Sequence, residues 1–132
     1  HLVFATLHTN TSAQTIDRII DVFPSYQQDQ VRQQLSSVLQ AIVSQRLVPK
    51  INGGRVAAVE LLVNTQAVAN LIREKKVFQI DGVMQTSASA GMVLLENSLL
   101  DMYHQKVISK ETALARAFRP NEMMRLLDET AS

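Results

Sequence analysis

His8 ends the apolar run Leu2-Val3-Phe4-Ala5-Thr6-Leu7 and stands beside Thr6, Thr9 and Asn10. Imidazole titrates near neutrality, and it can donate a hydrogen bond to a phosphate oxygen or accept one from a water. The flanking hydroxyls and amide add further hydrogen-bonding groups. Such a cluster, delivered by a strand to one sheet edge just before a helix, lies where open α/β sheets bind ligands. On residue types alone, a lone strand-end histidine is more often structural. Three arginines could reach a phosphate as arginine fingers do, namely Arg18 and Arg32 on polar helix faces and Arg46 further on. Their commoner role is solvation or a weak ion pair.

The elements that position these residues are readable in part. Leu2 to Leu7 reads as a buried strand. Thr11 and Gln14 have the spacing of a capping box, and Ile16, Ile19, Ile20 and Phe23 follow at helical spacing until Pro24. Ser25 and Gln28 repeat the capping spacing. Val31, Leu35, Val38, Leu39, Ile42 and Val43 hold one face, which predicts a long helix from Tyr26 to about Gln45. Asn52-Gly53-Gly54 predicts a hairpin between Leu47–Ile51 and Arg55–Val63. The second of these strands is nearly continuous in apolar character, as in a strand covered on both faces.

After Thr65, an N-cap residue type, the chain reads as helices. They are a segment around Ala67 to Glu74, then Val77 to Thr86, Gly91 to Lys106 with Met92, Leu95, Leu99 and Met102 inward, Lys110 to Phe118 after Ser109, and Glu122 to Asp128. Asn70, Arg73 and Glu74 form a polar strip beside Val68, Leu71 and Ile72, which spacing alone explains as a solvated face over a core stripe. The expected division is 1–64, strands with a hairpin, and 65–132, a small all-helical subdomain.

At 132 residues the chain can bury one core and is short for two ordinary domains. With 46% apolar residues, 5% aromatics and no Trp, that core should be aliphatic. Lys+Arg 13 against Asp+Glu 12 gives no electrostatic reason to expect nucleic acid or an anionic membrane. The lack of Cys excludes disulfides and thiolate metal sites. His1, His8 and His104 are far apart, so no metal is expected. The five methionines suit flexible core packing. No stretch approaches the ~18 apolar residues of a membrane span, so no direct membrane insertion and a cytoplasmic location are expected.

The run His1-Leu2-Val3-Phe4, then Thr6-Leu7-His8-Thr9-Asn10, Thr15-Ile16-Asp17-Arg18-Ile19 and Asp21-Val22-Phe23-Pro24 resembles the histidine box of the secretion ATPase superfamily. In detail it resembles the PilT-like type IV pilus retraction ATPases of twitching motility. Gln45-Arg46-Leu47, Arg55-Val56-Ala57-Ala58 with Glu60, Gln79-Ile80, Met84-Gln85-Thr86 and Gly91-Met92 are similar to the same family. Ala67-Val68-Ala69-Asn70-Leu71-Ile72-Arg73-Glu74 resembles its Ala-Ile-Arg-Asn-Leu-Ile-Arg-Glu motif, with Ala69 where the family has Arg.

The resemblance implies an α/β fold, the C-terminal portion of a RecA-like P-loop ATPase domain. It implies ATP and Mg²⁺ as cofactors of the full-length protein, a homo-hexamer, and type IV pilus inner-membrane platform proteins as partners. His8 and His1 become the catalytic candidates, Thr6, Thr9, Arg18 and Arg46 nucleotide-binding candidates, and Asn70, Leu71, Ile72, Arg73 and Glu74 a motor-surface helix. None of the four glycines begins a G-x-x-x-x-G-K-[ST] loop, and no strand-like run ends in the acidic pair of a Walker B element. A strand starting at His1 without a leader then leads to the expectation of a truncated product whose phosphate-binding half lies upstream. Such a piece alone should bind no cofactor and hydrolyse no ATP. The alternatives are a type II secretion or pilus-assembly ATPase, disfavoured by the absence of that class's tetracysteine insertion, and a non-enzymatic interaction module.

Overall fold

Thr11 caps the first helix as its spacing predicts. Its hydroxyl accepts from the Gln14 N–H at 3.1 Å and the Gln14 side chain accepts from the Thr11 N–H at 3.0 Å, which satisfies orphan donors of the first turn. The computed structural model describes residues 2–6 and 11–130, with side chains from 11 to 129. Helix α1, Ser12–Asp21, buries Ile16 and Ile20 completely. The helix stops before Phe23, which is 39% exposed, so the apolar stripe ends one turn earlier than its spacing suggests.

Helix α2 is Ser25–Val38, and the expected helix to Gln45 is not formed. From Leu39 the chain becomes strand β2, Leu39–Pro49, which runs parallel to β1, Leu2–Thr6, and antiparallel to β3, Arg55–Val63. The sheet order is β1-β2-β3. Apolar residues at 38, 39, 42 and 43 fit a helix face and a buried strand alike, and pairing on both edges decides for the strand. The Asn64 side-chain amide donates to the Ser36 and Leu39 carbonyls at 3.0 and 2.8 Å, so acceptors at the helix-to-strand change are satisfied. Ser25 is not a cap either. Pro24 holds that position, and the Gln28 amide donates to the Phe23 carbonyl instead.

The hairpin turns at Asn52-Gly53-Gly54, where Gly53 and Gly54 take φ of 93° and 75°. On the far side of β3, Leu61 and Val93 exchange backbone hydrogen bonds of 2.8 and 2.9 Å, which partly covers that edge. Helix α3, Gln66–Arg73, is capped by Thr65 as expected.

Of the helices expected beyond it, the first two are split or shortened and the last two form. Val77–Gln79 is a 3₁₀ turn leading into α4, Ile80–Gln85, and Ala88–Ala90 is a second 3₁₀ turn. Gly91 sits at φ 89° and Val93 is used in the bridge, so α5 begins only at Leu95 and runs Leu95–His104. Helix α6 is Lys110–Arg116, ended by extended Ala117. Helix α7 is Pro120–Thr130, with proline at its first position.

Two hydrophobic cores share β2 and β3. One gathers Ile16, Ile20, Leu35, Ile42, Leu62, Ile72, Ile80 and Met84. The other gathers Val48, Ala58, Leu95, Leu99, Ile108, Ala113, Met123 and Leu127. Among the described residues no helix is long and apolar enough to cross a membrane.

Candidate functional site

The expected strand from Leu2 to Leu7 is formed over Leu2–Thr6, and Leu7 lies outside the described residues. β1 pairs with β2 in parallel register up to Thr6 opposite Ser44, and α1 starts at Ser12. His1, His8 and Thr9 lie outside the described residues, and Thr6 is described as backbone only. What is visible is the frame around them, a strand-to-helix connection whose far end is fixed by the Thr11–Gln14 box.

That far end is also held from below by Glu60, in the middle of β3 and wholly buried. One Glu60 oxygen accepts from the Ser12 N–H at 2.9 Å and the Ser12 hydroxyl at 3.0 Å. The other accepts from the Leu95 N–H at 3.1 Å, the first residue of α5. A carboxylate at two helix N-termini is favoured by the orphan N–H groups and the dipoles there. Arg119 completes the cluster. Its guanidinium reaches Glu60 at 2.8 Å, buried Glu96 at 2.7 Å and Asp81 twice at 3.0 Å, and its backbone N–H donates to Glu96 at 2.8 Å. Burial works to lower the Arg119 pKa, but the hydrogen bonds to Asp81 and Glu60 and the charges of Glu60 and Glu96 outweigh it and raise it. The group is a permanent cation.

Sequence reasoning assigned no role to Glu60, Asp81, Glu96 or Arg119, although Glu60 closes the family-like run Arg55-Val56-Ala57-Ala58-Val59-Glu60. The signal was present at Glu60, because a carboxylate inside a strand covered on both faces has to be paired. For Arg119, between Phe118 and Pro120, no sequence signal points to the cluster.

The other candidates have separate surroundings. Arg18 is exposed on α1. Arg32 lies near enough to Asp17 to act on its charge, and its Nε is buried without a hydrogen-bond partner. Arg46 donates to the Arg116 carbonyl at 3.0 Å and stands 5.7 Å over the Phe118 ring, so it is engaged with the end of α6.

In α3, Val68, Ala69 and Ile72 are buried, Asn70, Leu71 and Arg73 half-buried and Glu74 exposed. Arg73 donates to Asn70 Oδ1 and, at 3.3 Å, to the Ser36 hydroxyl of α2. Ala69 lines a polar cavity of about 400 Å³ between α2 and α3 that Arg73 also borders.

The described residues form no glycine-rich loop that could cradle a nucleotide's phosphates. Their glycines with positive φ sit in the hairpin turn and before Met92, not between a strand and the start of a helix. Among the described residues no group of acidic or histidine side chains is arranged to hold a metal ion. The three clustered carboxylates have Arg119 at their centre.

The type II/IV secretion system protein family matches residues 1–128. The chain is 48% identical over 120 residues to the type IV pilus retractation ATPase PilT of Pseudomonas aeruginosa, covering 91% of this chain and 35% of that protein. It is 46% identical over 124 residues to a twitching motility protein of Neisseria gonorrhoeae, covering 93% and 33%. A crystal structure of the pilus retraction motor PilT with bound ADP superposes with a TM-score of 0.80 at 49% identity, covering 95% of this chain and 35% of that one. The chain therefore spans about a third of the length of the relatives it matches.

Proposed function

The chain belongs to the type II/IV secretion system protein family, and from that premise we propose that it is the C-terminal part of a hexameric ATPase motor that powers type IV pilus retraction. The observation that carries this reading is the near-50% identity to PilT proteins over more than nine-tenths of the chain, on the same α/β fold. In this reading, residues 1–64 belong to the RecA-like core and 65–132 form the helical subdomain, with the two hydrophobic cores stitching them together across β2 and β3.

His8, with His1, Thr6 and Thr9, serves the strand-end side of the ATP site, and Arg18 and Arg46 are secondary candidates. ATP with Mg²⁺ is held mainly by phosphate-binding elements outside these 132 residues. Asn70, Leu71 and Arg73 of α3, with Glu74 just after it, are the surface through which motion passes to pilus platform proteins, in a motor that works in the cytoplasm at the inner membrane, while Ile72 anchors that surface in the core.

The test is phosphate release by the full-length chain, wild type against His8→Ala at matched hexamer content. A loss of at least about tenfold with assembly retained is expected, as for removal of a positioned acid–base group. Unchanged turnover would make the strand-end histidine structural. The 132 residues alone should release no phosphate above background, and clean, metal-dependent turnover by them would refute that part.

A further inference from the structure

We propose that Glu60 is a positioning residue for ATP turnover, holding the start of α1, and with it the end of the histidine-bearing connection, in a fixed place relative to the C-terminal helices. The proposal rests on the motor reading above. It starts from the unusual chemistry of the cluster, in which three carboxylates, two of them fully buried, surround one guanidinium. Buried ion pairs are weak contributors to stability, since well-packed apolar residues of the same volume do as well or better, and their best-attested use is to specify one geometry. Here the geometry specified is a junction.

Glu60 accepts from Ser12 and from Leu95, and through Arg119 it is joined to Asp81 of α4 and Glu96 of α5. Ser12 directly follows the Thr11 cap, so what holds Ser12 fixes the point at which the connection enters the helix. A shift of the α4, α5 or α7 ends moves the Arg119 clamp. The clamp moves Glu60, and Glu60 carries the α1 N-terminus. Every Arg119 N–H is used in this arrangement, so the clamp has no slack in which a shift could be absorbed.

The experiment compares steady-state ATP turnover of the full-length wild-type chain with Ser12→Ala, Asp81→Asn and a control, Ser109→Ala. Ser12→Ala removes one donor to Glu60 and Asp81→Asn loosens the clamp at its exposed rim. Ser109→Ala removes the α6 cap, a comparable loss of stability away from the cluster. The first two should lower kcat by about fivefold or more with KM for ATP and hexamer content unchanged, as displacement of a reacting group does. Ser109→Ala should keep the wild-type kcat. Wild-type kcat in both cluster variants, or an equal loss in Ser109→Ala, overturns the positioning role. A wild-type chain that does not turn over ATP overturns the motor reading instead.

Discussion

Asp17 and Asp21 stand one turn apart on α1, a like-charge pair that costs stability. Burial, then repulsion from Asp21, raises the Asp17 pKa above 3.8, against the attraction of Arg32. A carboxyl whose folded pKa is raised is held more tightly when protonated. Its stabilising contribution is complete below the unfolded pKa and is lost as pH rises through the folded one. Asp17→Asn should therefore raise the melting temperature at pH 7, by about 2 °C, with the difference vanishing below pH 3.8. A pH series of thermal melts checks the sign.

Glu60 sits at the other extreme, with its carboxylate fully engaged. Glu60→Ala orphans the Ser12 and Leu95 N–H groups and leaves Arg119 with two partners. Urea denaturation should show a loss of about 3–5 kcal/mol, the cost of breaking a buried pair. At this scale the sequence was legible for Thr11 and Thr65, whose caps depend on neighbours within three residues. Glu60 with Arg119 was not, because the partners are 59 residues apart.

Helix ends show the same contrast. Helix α3 passes into Lys75 at φ 62°, with the Lys76 N–H reaching back to the Leu71 carbonyl at 2.8 Å. Helix α5 passes into Lys106 at φ 63°, with the Val107 N–H on the Met102 carbonyl at 2.9 Å. Both are left-handed terminations that glycine ordinarily fills, and lysine there gives no sequence signal. Lys75→Gly or Lys106→Gly should gain roughly 0.5–1 kcal/mol in denaturant titrations, the relief of a strained Cβ less the added chain entropy.

The passage from α2 to β2 is quieter still. Leu39 turns from helix to extended backbone at φ −63°, ψ 130° with neither glycine nor proline near it. Local pattern favoured a longer helix, and the pairings to β1 and β3 decided otherwise. Asn64 secures that switch, so Asn64→Ala should cost about 1–3 kcal/mol by leaving part-buried carbonyls unpaired. A loss below a few tenths would mean that water replaces the amide.

For the whole molecule, the hairpin and the strand before α1 were legible because turn residues and an apolar run mark them. The division of labour between the cores was not. Ile42 and Leu62 lie in one core and Val48 and Ala58 in the other, on the same two strands, so the cores share a backbone as well as the Glu60–Arg119 cluster. Strands that serve both cores should make them open together, whereas the cluster is the tie between their helices. Arg119→Lys separates the two contributions, because the ammonium keeps the charge but cannot match the planar fork that serves three carboxylates. Hydrogen exchange in the full-length chain should then show amides of α5, α6 and α7 losing protection about tenfold or more, with those of β2 and β3 near wild type. Uniform loss across α1 to α7 would mean that the shared strands alone set the cooperative unit, and that the buried cluster adds position without adding coupling.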